Sequence, residues 1–385
     1  MFEPAKNAPL TAIHRGRVLR GETWDEASLF LADGEFVDAP EWGRWLDARG
    51  CLVLPGIVDF HGDAFERQIM PRPQVSFPLP VAMLDTDRQL AANGITTALH
   101  GVTHSWEGGL RGPETLRQLI PALDGVRSRC LVEHKLHLRF ECHHLDGEGE
   151  TVEWLNSGWI SLLAFNDHLP GMQRKPHKWK EWADRAHTDI AGFEARLEAA
   201  AARAGEVPAL IGRLAAEARQ LGIPMASHDD HAVEVRDFYR GHDCLISEFP
   251  LNREVAEHAT RHGSPVVCGA PNVLRGGSHV GAPRAADLAA DGLCSILASD
   301  YYYPAPLHAA CRLAAEGRLP LERAWALVST NPAAAIGLAD RGRIEPGKRA
   351  DLLVVDVSDL DAPQLVATIA NGRIAHLADA SRLHG

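Results

Sequence analysis

Apolar residues recur along this chain with two periods, and the order in which the periods alternate outlines a fold. Short runs rich in Val, Ile and Leu, bounded by Gly, Pro, Asn or Asp, read as strands. Longer stretches such as 194–203, EARLEAAAAR, carry a helical pattern. The two kinds alternate through the middle of the chain, as a parallel sheet wrapped by helices requires. Eight strand candidates occupy 53–60, 95–99, 130–141, 160–165, 223–227, 244–247, 265–269 and 294–299. Eight strands close a (β/α)8 TIM barrel. The span 167–222 is too long for a plain loop and is expected to hold helices plus a basic excursion at Arg174, Lys175, Lys178 and Lys180.

A different texture marks the two ends. Short strand-like segments at 10–13, 17–19, 28–31 and 35–38 are punctuated by Asp33-Gly34, and near the end 350–356 reads as a strand, with a hairpin signal at Asn371-Gly372. The expectation is α/β architecture: a barrel over 55–344 and a small β-sandwich domain that the termini build together from 1–54 and 345–385.

Composition narrows the function classes. A net charge of −12 argues against general nucleic-acid binding, which rests on dense positive charge. The longest apolar runs are too short to span a bilayer, and the N-terminal residues lack a signal-peptide layout, so no membrane partner and a cytoplasmic location are expected. Seven cysteines scattered singly read as reduced core thiols rather than a disulfide frame.

Chemistry concentrates where the strands end, which is where barrel enzymes keep their active sites. His61 and Asp63 close the first strand and, two residues apart, point to one side. The third strand places Glu133, Lys135, His137, Arg139 and Glu141 on one face and His134, Leu136, Leu138, Phe140 and Cys142 on the other. The apolar row belongs against helices, so the polar row must enter the barrel, where ionisable groups need partners or metal. Glu141, nearest the strand end, is the candidate carboxylate bridging two metals; a carbamylated Lys135 is the alternative, about 20 Å deeper. His228 ends the fifth strand, Glu248 the sixth, as either a ligand or a loop carboxylate, and Asp300 the eighth. Asp300 is the candidate that binds metal through one oxygen and takes a proton from water through the other. After the seventh strand, Arg275, Gly276-Gly277, Ser278 and His279 have the composition of a phosphate-binding loop. Arg67, Arg72, Arg174 and Lys175 would add positive charge at the same mouth.

With these residues placed, the chain resembles the amidohydrolase superfamily over nearly its whole length, through Pro55-Gly56 and the stretches 329–338 and 342–356. The segments 61–73, 166–171, 269–279 and 299–304 are similar to a narrower group within it, diphosphatases that act on a triphosphorylated ribose phosphonate in bacterial phosphonate use. That resemblance implies one or two divalent ions, Zn²⁺ or else Mn²⁺ or Fe²⁺, held by His61, Asp63, Glu141, His228, Glu248 and Asp300. It also implies a polyphosphorylated sugar as the small-molecule substrate, met by Arg67, Arg72, His168, Arg174, Arg275, Ser278 and His279, and a homodimer. His61-x-Asp63 replaces the superfamily's usual His-x-His, and Glu248 its usual sixth-strand histidine. Amide hydrolysis or deamination is the alternative activity, because a fold does not fix its chemistry. A barrel that serves as a non-catalytic scaffold is the third reading.

Overall fold

Among the residues that the computed structural model describes (9–39, 42–72, 74–278 and 281–385), eight parallel strands run in chain order around one sheet. They are β1 (Ile57–Gly62), β2 (Ile95–His104), β3 (Glu133–Glu141), β4 (Ile160–Asn166), β5 (Met225–His228), β6 (Ile246–Glu248), β7 (Val266–Gly269) and β8 (Ile296–Ala298). The ring closes through residues that also carry chemistry. Asp300 N donates to His61 O at 2.8 Å and Asp63 N donates to Asp300 O at 2.9 Å. Behind this seam the buried Asp59 carboxylate accepts from Ser299 N at 2.8 Å and from Ser299 Oγ at 2.6 Å, which fixes β1 against β8 immediately before Asp300.

Side-chain alternation on β3 runs as its pattern requires. Leu136, Leu138, Phe140 and Cys142 pack with Leu116, Leu119, Leu210 and Leu214 of the outer helices. Inside, Phe60, Leu99, Leu162, Ala226, Val267 and Ile296 fill the barrel below the rim. The 167–222 span holds helices at Leu169–Gln173, Trp179–Arg185, Ile190–Ala202 and Val207–Gln220. The first strand candidate, however, divides in two. Leu52–Pro55 pairs with Leu352–Asp356 in a terminal sheet, and the barrel strand begins only at Ile57. Gly56 stands at the junction, where a Cβ would lie 2.3 Å from Thr96 Oγ1, so a larger residue would collide with the Thr96 side chain.

The terminal segments form two sheets. One orders Leu383–His384, Arg44–Asp47, Leu10–His14, Leu29–Ala32 and Glu35–Val37; the other orders Arg373–Leu377, Gln364–Ala370, Leu352–Asp356, Leu52–Pro55, Arg17–Arg20 and Thr23–Asp25. Leu10, Ile13, Phe36 and Leu46 from the first meet Val18, Val53, Val354 and Ile369 from the second in one apolar core. All seven cysteines are free and six are buried. No helix among the described residues is long and apolar enough to cross a membrane.

The start of β3 lies at the opposite end of the barrel from the rim. There Lys135 Nζ is 3.0 Å from Glu133, whose other oxygen lies 2.6 Å from Arg341 Nη1 and 3.0 Å from Arg349 Nη1. Lys135 is thus held in an ion-pair ladder with Glu133, away from the rim where the carbamylated alternative would need it. Burial alone would raise the Glu133 carboxyl, but Arg341 and then Lys135 draw it down to about 2. A depressed carboxylate stabilises the fold above its unfolded value, near 4.5, and loses that contribution as pH falls toward 2. Arg341→Met is therefore expected to lower unfolding free energy by about 2 kcal/mol at pH 7 and by clearly less at pH 3. Urea melts of both proteins at the two pH values check this, and an equal loss at both would contradict it.

Candidate metal centre at the barrel mouth

The rim is organised around one carboxylate. Glu248, at the end of β6 and wholly buried, accepts from His61 Nδ1 at 2.9 Å and from His228 Nδ1 at 2.7 Å. A carboxylate only accepts, so each imidazole carries its proton on Nδ1 and keeps its Nε2 lone pair for another partner. Burial works to raise Glu248, yet His61 and His137 beside it hold the carboxyl well below its ordinary range. Burial opposes charge on His61, but Glu248 lifts that imidazole above its usual value; on His228 burial prevails and the value falls. His137 lies 3.8 Å from Glu248 Oε1 with neither ring nitrogen hydrogen-bonded, and burial pushes it down to about 3.

Toward the cavity, His61, Asp63 and Asp300 offer one donor atom each within 4.8 Å of one another. Burial, and after it the Asp63 charge, pushes the Asp300 carboxyl up to about 6. Two carboxylates crowded beside an imidazole make a donor set suited to a divalent cation. His228, His61 and Glu248 form a second such group, and His168, His228 and Asp229 a third. Three residues that follow strand ends here have left-handed backbones: Asp229 (φ 59°), Phe249 (φ 52°) and Asp300 (φ 56°). Strain of this kind persists where the surroundings over-determine a site.

A cavity of about 230 Å³ opens above these groups, floored by His61, Asp63, Arg139, His228, Asp229 and Asp300 and walled by Phe249, Arg275, Ser278 and Tyr301. Arg275 Nη1 donates to Tyr301 Oη at 3.3 Å. Arg67 is exposed and donates through Nη2 to Tyr301 O at 2.6 Å, so it steadies the residue after Asp300 from outside the cavity wall. Arg72 and Arg174 are exposed and do not line the cavity, and His279 lies outside the described residues.

Glu141 and the glycine pair after β7 have partners of their own in this structure. Glu141 belongs to none of the three groups. Its Oε1 accepts from His168 Nδ1 at 2.5 Å, and His168 Nε2 faces Asp229 Oδ2 at 3.7 Å. Burial alone would lower the His168 imidazole, but Glu141 and Asp229 push it up to about 10, so this histidine is a cation that Glu141 neutralises. The Gly276-Gly277 pair is not a free phosphate nest either. Ala270–Arg275 is a helix, Gly276 (φ 75°) is its left-handed cap, and the two glycine N–H groups donate to Val273 O at 3.2 Å and Asn272 O at 3.0 Å. Arg275 and Ser278 reach the cavity all the same.

The structure also brings in residues that were not singled out as site residues. Arg139 and His137 stood in the polar row of β3, but a row signals burial rather than a role. Asp229 directly follows His228, and Asn166 ends β4 beside it in the sheet.

Comparison with known proteins agrees with this architecture. A family model described as "Amidohydrolase family" matches residues 276–376. The alpha-D-ribose 1-methylphosphonate 5-triphosphate diphosphatase of Escherichia coli (strain K12) is 36% identical over 328 residues, covering 82% of this chain and 85% of that protein. Among solved structures, a molinate hydrolase superposes with a TM-score of 0.65 at 14% identity, covering 95% of both chains. The 5-methylcytosine deaminase from Klebsiella pneumoniae gives 0.62 at 15% identity, covering 96% of this chain and 98% of that one. Barrel, terminal β-domain, rim chemistry and a relative matched across four-fifths of the sequence converge on one conclusion: this chain belongs to the amidohydrolase superfamily.

Proposed function

We propose that this protein is a divalent-metal-dependent diphosphatase that hydrolyses α-D-ribose 1-methylphosphonate 5-triphosphate to the 5-phosphate and diphosphate. The observation that carries the reading is the convergence of His61, Asp63 and Asp300 under a cavity walled by Arg275 and Ser278, in a chain 36% identical to an enzyme of that name. The superfamily generally uses divalent metals. Here His61, Asp63 and Asp300 would hold the ion; Zn²⁺ is the proposed metal, and Mn²⁺ or Fe²⁺ suit the same donors.

When bound, such an ion supplies an acidified water and draws charge from the phosphoryl oxygens. The chain's own groups do the rest. Glu248 fixes both imidazoles, leaving His61 Nε2 toward the ion while His228 Nε2 accepts from Arg139 Nη2 at 3.4 Å. Asp300 has two carboxylate oxygens, one to hold the ion and the other to take up a proton from the attacking water. Arg275 stands where a triphosphate tail enters, and its guanidinium offsets charge that builds on departing diphosphate. Attack at either the α or the β phosphorus gives the same products, and ¹⁸O from water traced to diphosphate or to the ribose phosphate distinguishes them.

Arg275→Ala is expected to raise KM for the triphosphate roughly tenfold and to leave the thermal midpoint within a few degrees of wild type, because the side chain is exposed and bonds only at the cavity wall. Steady-state diphosphate release checks it. An unchanged KM would remove Arg275 from substrate binding.

A further inference from the structure

We infer that the Arg139 guanidinium occupies the place of a second cation, so that this centre binds one divalent ion per chain rather than two. The inference rests on the metal-centre reading given above and adds its stoichiometry.

Arg139 rises from the inward face of β3 and is almost wholly buried. Its Nη1 lies 3.6 Å from Asp63 Oδ2 and its Nη2 lies 3.4 Å from His228 Nε2. It therefore spans the gap between the His61–Asp63–Asp300 group and the His168–His228–Asp229 group. In two-metal sites the ions sit roughly 3.5–4 Å apart and share a bridging anion. That gap is filled here by a fixed positive charge.

The pocket around this arginine is built for it. On β2, a Cβ at Gly101 would come within 3.2 Å of Arg139 Cδ and 3.3 Å of His61 Nε2, so the absence of a side chain there makes room for both. Asn166, turned with its carboxamide oxygen toward the guanidinium, accepts from Nε and Nη2 at 3.2 Å each. Asn166 is neutral, and both residues expected to supply a bridging anion have partners of their own. Glu141 is engaged by His168, and Lys135 is held by Glu133 at the far end of the strand. Both ring nitrogens of His168 already face carboxylates, Glu141 and Asp229, which takes one donor out of the third group. A second dication at His228 would sit directly against the Arg139 guanidinium, whose like charge opposes it.

The test is metal content per chain, measured by plasma mass spectrometry after loading the full-length protein with excess Zn²⁺ and removing weakly held ion by gel filtration. One Zn²⁺ per chain is expected for wild type and for Arg139→Lys, which keeps the charge, and close to two for Arg139→Met, which removes it. Anomalous scattering at the zinc edge from wild-type crystals is expected to show one peak beside His61, and this readout needs no variant to fold. Two ions per wild-type chain would overturn the inference, as would one ion in a folded Arg139→Met protein. No bound Zn²⁺ in any of them would instead overturn the metal-centre reading beneath it.

Discussion

Asp300→Asn is expected to lower kcat for diphosphate release roughly 10³-fold while the protein stays folded, within the range general-base removal produces. Asparagine keeps the size of the side chain and the left-handed backbone that aspartate adopts here, a conformation asparagine tolerates well. What it loses is the ability to take a proton and to bind a cation through an anionic oxygen. Because Asp63 crowds Asp300 and helps push its carboxyl up to about 6, removing one of the two charges relieves repulsion in the metal-free protein. The thermal midpoint of metal-free Asp300→Asn should therefore equal or exceed that of metal-free wild type. A folded variant that keeps its kcat would remove Asp300 from the mechanism.

The second large effect is expected at Glu248. Its two oxygens accept from two different histidines, so glutamine in its place can satisfy one imidazole and must present an N–H to the other. One ring then flips or changes tautomer, and its Nε2 no longer faces a ligand. Glu248→Gln should weaken metal binding about 10- to 100-fold, the usual penalty for losing a carboxylate that orients a ligating histidine. A competition titration against a chelator of known affinity reads this directly, and an unchanged affinity would show that Glu248 does not orient the imidazoles. His137 provides a contrast: it faces the same carboxylate from behind without a hydrogen bond, so His137→Phe should change metal affinity far less.

Much of this was legible in the sequence because a barrel places chemistry at strand ends, and strand ends are where apolar runs stop. His61, His228, Glu248 and Asp300 each terminate such a run and meet at one rim. The alternation on β3 likewise sent a polar row inward as the packing requires. Pairing was what the pattern could not show. Glu141 and Glu248 both end inward-facing strands, and only the positions of β4 and β5 decide that one meets His168 and the other meets His61 and His228. Arg139 was visible as an inward residue, but its proximity to His228 depends on a strand two places away in the sheet. Gly276-Gly277 misled for a local reason: a six-residue helix that contains Pro271 and ends in a left-handed glycine has nearly the composition of a loop.

A divalent ion at this rim is proposed to drive hydrolysis of a triphosphate. Diphosphate release from α-D-ribose 1-methylphosphonate 5-triphosphate, followed in protein stripped by chelator and then given back Zn²⁺, Mn²⁺ or Fe²⁺, tests that most directly. Activity should vanish on stripping and return with at least one of these metals. Full turnover by the stripped protein would contradict the account.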